Sequence, residues 1–177
     1  MMSRARWHKL YTATVKASPE RLFALIADMP NYTRWLPASK QFSHTTAVEP
    51  YPVRFGSRYH DGQPDKPGKD WWGTVTGFQP PGSIDFRHTI RVPQLRSTVD
   101  VHIHYSFETE NGRTRVNRWL LLDLAMPLVA RPLRGAITAQ FDKENTRTMA
   151  ALKQYAELHT EEPLSYDDGA PSPSRAP

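Results

Sequence analysis

The chain has 177 residues, 38% of them hydrophobic and 11% aromatic, and no cysteine. That length and core content suit one globular domain, and the missing cysteines exclude disulfides, thiol catalysis and Cys-ligated metals. The formal charge is +5, but five acidic residues and no Lys or Arg fall within 157–174, so residues 1–156 carry 22 basic against 13 acidic side chains.

The basic residues are scattered along strands, without a cluster or an RNA-binding signature, so a solvated surface is expected and no nucleic acid. No window holds the roughly 18 uninterrupted apolar residues of a membrane span. Arg4, Arg6 and Lys9 lead into no apolar stretch, so secretion is not expected and the default location is cytoplasmic.

The first strand is predicted over 6–16, where Trp7, Lys9, Tyr11, Ala13 and Val15 alternate with His8, Leu10, Thr12 and Thr14. It is rich in β-branched and aromatic residues, and residues 1–5 are left as a disordered lead. Ser18-Pro19-Glu20 reads as a helix start: serine caps free N–H groups, proline suits the first turn, and glutamate complements the positive helix end. Leu22, Phe23, Leu25 and Ile26 then supply the buried face of a helix ending near Asp28. Pro30 forces a break, and residues 31–35 add a short helical turn before Pro37.

From there alternation replaces the helical period. Strands are predicted over 41–48, 55–60, 70–78, 83–92, 98–109 and 113–124. Asn111-Gly112 signals a tight hairpin, while Pro80-Pro81-Gly82 and the polar stretch 61–69 mark loops. Short connections in series favour an antiparallel meander. Over 132–158, Leu133, Ile137, Phe141, Met149, Leu152 and Tyr155 follow one face of a helix about 40 Å long. Residues 161–177 are rich in Pro, Ser and Asp and are expected to form a disordered tail, so the folded domain spans 6–160.

The order strand, two short helices, six strands and long helix resembles START-like, or SRPBCC, proteins, especially the polyketide cyclase/dehydrase and lipid-transport branch. The residues that carry the resemblance are Ala17 to Phe23, Asp28 with Tyr32 and Trp35-Leu36-Pro37, Gly73 to Pro81, Val101 to Phe107, Gly112 to Val116, and the helix from Pro132. Together they cover about residues 7–158. The resemblance implies an α+β helix-grip fold of the Bet v 1/START-like kind, with a curved antiparallel sheet of about seven strands around a long C-terminal helix. It also implies a cavity between the sheet and that helix.

Alternation then shows which side chains face such a cavity. On 98–109 the apolar set is Val99, Val101, Ile103, Tyr105 and Phe107; on 83–92 it is Ile84, Phe86, His88 and Ile90; on 113–124 it is Val116, Arg118, Leu120 and Leu122. His88, Tyr105 and Arg118 thus sit on a mostly apolar surface, as ligand-orienting groups do. Asn145 on the helix shares a face with Ile137, Phe141 and Tyr155. Candidate ligand-binding residues are therefore Trp35, Trp72, Phe86, His88, Ile103, Tyr105, Arg118, Leu120, Ile137, Phe141 and Asn145. Trp71 and Trp72 are adjacent on a strand, so only one of them faces inward.

His102 and His104 lie two apart with Asp100 on the same face, short of a convincing metal site, so neither a metal nor a cofactor is expected. No nucleophile triad, phosphate-cradling loop or dinucleotide fingerprint is present. The leading expectation is a protein that binds a hydrophobic small molecule: a lipid, a quinone or a polyketide-like compound. It has no membrane span, although transient contact with a membrane or a carrier protein is compatible with that role. The alternative is an aromatase/cyclase acting on a tethered polyketide, with His88, Tyr105 and Arg118 as its catalytic set and His88 as the group that titrates near neutrality. A protein–protein module using the basic surface and an exposed tryptophan is a further alternative.

Overall fold

A computed structural model describes residues 2–39, 44–62, 70–92 and 95–160. Its strands are β1 (Met2–Val15), β2 (His44–Glu49), β3 (Arg58–Gly62), β4 (Asp70–Gln79), β5 (Ser83–Val92), β6 (Ser97–Glu110) and β7 (Arg113–Pro127). The helices are α1 (Pro19–Ala27) and α2 (Arg134–Leu158), with short 3-10 segments at Met29–Arg34 and Leu128–Leu133.

The strands form one antiparallel sheet in the order β1-β7-β6-β5-β4-β3-β2. Six strands run as a meander, and β1 closes the far edge against β7. The β6–β7 hairpin turns at Asn111 and Gly112, whose φ values of 51° and 73° are the positive pair that a two-residue turn requires. A register shift between Val75 and Gly77 in β4, and another between Thr45 and Ala47 in β2, bend the sheet.

Helix α1 begins where its capping residues place it. Ser18 Oγ accepts a hydrogen bond from Arg21 N, Pro19 opens the first turn, and Glu20 lies at its positive end. Leu22, Phe23 and Ile26 are buried, and Phe23 meets Phe78 and Phe107 edge to face, so α1 plugs one end of the sheet. Helix α2 lays Asn145, Thr148, Met149, Leu152 and Ala156 against the concave face. At about 1.5 Å per residue its 25 residues span roughly 38 Å.

Several boundaries differ from those expected from sequence, among them a β7 that runs on to Pro127. Residues 2–5 are not a disordered lead: β1 starts at Met2 and pairs with Pro127, because β7 is long enough to supply the partner. The final α-helix starts at Arg134, and Pro132 and Leu133 belong to a 3-10 segment that leaves Leu133 exposed. β3 starts at Arg58 rather than at residue 55. Asp61 and Gly62, read as loop, complete β3 by pairing with Trp71 and Asp70. Residues 41–43, 63–69 and the expected tail at 161–177 lie outside the described residues.

Candidate functional site

A cavity of about 460 Å³ opens between the concave face of the sheet and α2. Its floor is a run of aromatic and aliphatic side chains from alternate positions of β5, β6 and β7: Phe86 and His88, then Val101, Ile103 and Tyr105, then Arg118 and Leu120. Cross-strand pairing sets them side by side, with Phe86 opposite Ile103, Ile103 opposite Leu120, and Tyr105 opposite Arg118. The Met29–Arg34 turn and the residues after it bring Tyr32, Trp35 and Leu36 to one wall, and α2 brings Phe141, Asn145 and Thr148 to the other.

Of the eleven side chains singled out from sequence, nine line this cavity: Trp35, Phe86, His88, Ile103, Tyr105, Arg118, Leu120, Phe141 and Asn145. Ile137 packs against the core, half-buried and outside the lining, because it stands more than a helical turn before Phe141 reaches the cavity. Trp72 is a correction. It is 44% exposed, capped by the Arg58 guanidinium at 4.7 Å and set beside His60. The tryptophan in the cavity is Trp71, which stacks on His88. Register explains it: Gly73 pairs with inward-facing His88 and Val75 with inward-facing Phe86, so Trp71, Gly73 and Val75 point inward. Thr74 shares the face of Trp72, and exposed Thr76 follows it, a polar set that carried the signal.

Arg118 is the charged group on the cavity floor, 9% exposed. Its Nε donates to Asn145 Oδ1 at 2.6 Å, and Asn145 Nδ2 donates to Phe141 O at 2.7 Å, which fixes the amide's orientation. The guanidinium lies over the Tyr105 ring at 4.7 Å. Among the described residues no carboxylate pairs with it. Burial depresses its pKa to about 10, with Tyr32, Tyr11 and Tyr59 acting the other way. It stays charged at neutral pH, held by dipoles and a ring.

His88 Nδ1 shares a 2.9 Å hydrogen bond with Tyr59 Oη. Burial first, then the charge of Arg118 and then His102, lower its pKa to about 3. The imidazole is therefore neutral throughout the physiological range, which removes the near-neutral titration that the cyclase reading assigned to it.

Three wall residues went unremarked in the sequence. Tyr59 is buried, packs edge to face on Phe86, and keeps its proton because burial and Asp61 raise its pKa. The alternation of Ser57, Tyr59 and Asp61 against Arg58 and His60 already set it on an inward face. Asp61 accepts from Thr45 Oγ1 at 2.6 Å, and burial raises its pKa to about 6. Its position in a polar stretch hid it. Arg147 on α2 donates to Glu144 and to Pro37 O at 2.5 Å, and Glu144 accepts from Ser39 at 3.0 Å, tying the wall after the short turn to the helix.

Among the described residues no group of three His, Asp or Glu side chains could hold a metal. Asp100 accepts from Thr89, and His104 pairs with Asp85 at 2.7 Å. No described helix is long and apolar enough to cross a membrane.

A curved seven-stranded sheet gripping a long helix around an apolar cavity defines a START-like helix-grip protein. The chain belongs to the polyketide cyclase / dehydrase and lipid transport family, whose model matches residues 8–157. Solved structures share the fold at low identity. A putative uncharacterized protein from Rhizobium leguminosarum is 12% identical with a TM-score of 0.67, over 89% of this chain and 99% of that one. The di-domain ARO/CYC StfQ from the steffimycin biosynthetic pathway is 12% identical with a TM-score of 0.63, over 86% of this chain and 51% of that one. Ara h 8.0201 is 13% identical with a TM-score of 0.59, over 85% and 97%. No curated protein matches the sequence.

Proposed function

We propose that the protein binds a hydrophobic small molecule in the cavity between the sheet and α2. The observation that carries this reading is the cavity itself, whose floor is aromatic and aliphatic around a single buried guanidinium. Its volume of 460 Å³ lies in the lower half of the roughly 300–1,000 Å³ typical of small-molecule sites. A lipid, a quinone or a polyketide-like compound has the chemistry that such a wall accepts. Arg118, Tyr105 and Trp71 orient the ligand's polar end, and Trp35, Phe86, Ile103, Leu120 and Phe141 cover its apolar body. Native mass spectrometry of freshly purified protein, followed by organic extraction, is expected to return a defined apolar adduct. Protein that arrives empty and also fails to take up lipids, quinones and aromatic polyketides from a panel sinks the reading.

One observation favours a second reading, a cyclase acting on a polyketide. Asp61 is a cavity carboxyl with a pKa near 6, suited to moving a proton at neutral pH, whereas His88 is not. By this reading Asp61 exchanges the proton and Arg118 polarises a carbonyl. With a tethered polyketide as substrate, Asp61→Ala and Arg118→Ala are expected to abolish turnover, while His88→Ala lowers it only by disturbing Tyr59. Full turnover in both of the first two variants excludes the mechanism.

A further inference from the structure

Several hydrogen-bond donors that line the cavity have no acceptor among the described residues. Nε of Arg118 is taken by Asn145. Nη1 and Nη2, the outer edge of the guanidinium fork, have no acceptor among the described residues. The Tyr105 hydroxyl is likewise without one among the described residues, and Trp71 Nε1 is buried and unpaired. A desolvated donor left unmade is costly, and a desolvated cation more so. Of these groups Trp71 Nε1 is fully buried, while Arg118 and Tyr105 are 9% and 2% exposed; together they point to an occupant rich in acceptors.

Charge points the same way. The described wall carries Arg91, Arg118 and Arg147 against Glu144 and Asp61. Glu144 is already paired with Arg147 at 3.0 Å, and Asp61 is bonded to Thr45. Neither neutralises Arg118. Asp61 and Arg118 both line the cavity, but no ion pair joins them among the described residues.

We propose that the ligand is an amphiphilic carboxylate, its carboxylate received end-on by Nη1 and Nη2 of Arg118 and its apolar body lying along Phe86, Ile103 and Leu120. A planar carboxylate matches the free edge of a guanidinium with two parallel hydrogen bonds. The Tyr105 ring lies against the same guanidinium, its centroid 4.7 Å from Cζ. Asn145 fixes the fork by holding Nε, so the edge is presented before the ligand arrives. The inference rests on the binding function proposed above and narrows its ligand class from hydrophobic molecules in general to anionic ones.

The test compares acids with their methyl esters, which share shape and apolar area but lack the charge. Dodecanoate, 4-(1-pyrenyl)butyrate and both esters are titrated into the full chain, and affinities are read by calorimetry and by pyrene fluorescence. Each acid is expected to bind at least roughly tenfold more tightly than its ester, as charge-assisted bonds in a buried site allow. Arg118→Met is expected to bring the acid-to-ester ratio down to about one, and Arg118→Lys to retain only part of the preference, since an ammonium has no fork. Equal affinities for acid and ester in the wild-type chain overturn the carboxylate inference and leave hydrophobic binding standing. Failure of all four compounds to bind overturns the carboxylate inference, and the adduct and panel experiment above then decides the binding function itself. The acid-to-ester ratio is measured on the wild-type protein, so the test survives a variant that fails to fold.

Discussion

Asp61→Asn is expected to stabilise the protein above pH 6 and to make no difference near pH 4. In an unfolded chain this carboxyl ionises near its ordinary value of 3.8, but burial keeps it protonated in the folded protein up to about 6. Between those values the folded state binds more protons than the unfolded one, so stability falls as pH rises through the window and stays lower above it. A shift of about two units corresponds to on the order of 3 kcal/mol. Asparagine resembles the protonated side chain and escapes that loss.

His88 acts in the opposite sense. Its folded pKa is lowered from 6.5 to about 3, so its contribution is complete above 6.5 and is lost as pH falls. In the wild-type chain the two slopes oppose each other between about pH 4 and 6. Asp61→Asn removes one of them, and the variant should lose stability steeply on acidification across the same range. Thermal melts at pH 4, 5, 6 and 7.5 read both effects. A variant no more stable than wild type at pH 7.5 means that Asp61 is not held against its burial. A gain there would show a carboxylate kept in the cavity at a cost to the fold, as functional groups commonly are.

Gly73→Val is expected to cost about 3 kcal/mol or more, the upper range for overpacking a core. Gly73 pairs with Tyr59 on one side and with His88 on the other. A Cβ at this position overlaps the end of the Tyr59 ring and comes within 2.6 Å of its Cε1. The ring cannot swing aside cheaply, being 2% exposed, bonded to His88 and packed on Phe86. Displaced, it enters the cavity, and both binding and stability fall together. Chemical denaturation of Gly73→Val, Tyr59→Leu and the double variant separates the causes. Most of the penalty should vanish in the Tyr59→Leu background, a coupling between contacting residues. Additive losses would mean that the glycine serves backbone conformation rather than the ring.

Much of this architecture is legible in the chain. Period-two alternation along β5, β6 and β7 tells which side chains share a face, since a strand offers only two. Val99, Val101, Tyr105, Val116, Leu120 and Leu122 are buried where alternation puts them. Ser18-Pro19-Glu20 and Asn111-Gly112 are local signals that need no partner to act. The same alternation, applied to β4, would have chosen Trp71 over Trp72, because Thr74 and Thr76 mark the outer face. The resemblance of ordered motifs reached the family and the helix-grip fold.

What depends on neighbours far along the chain is not written in any local pattern. The end of β1 at Met2 follows from the length of β7, and Asp61 becomes a strand residue because β4 pairs with it. Burial by other elements, not the identity of the side chain, moves Asp61 up to about 6 and His88 down to about 3. Likewise, nothing near Arg118 in sequence shows that a helical asparagine 27 residues away takes its Nε while the rest of the fork stays open. Spacing sets which face a residue occupies, because backbone geometry is local. Protonation, pairing and enclosure are sums over everything that surrounds it, and only the folded chain brings those surroundings together.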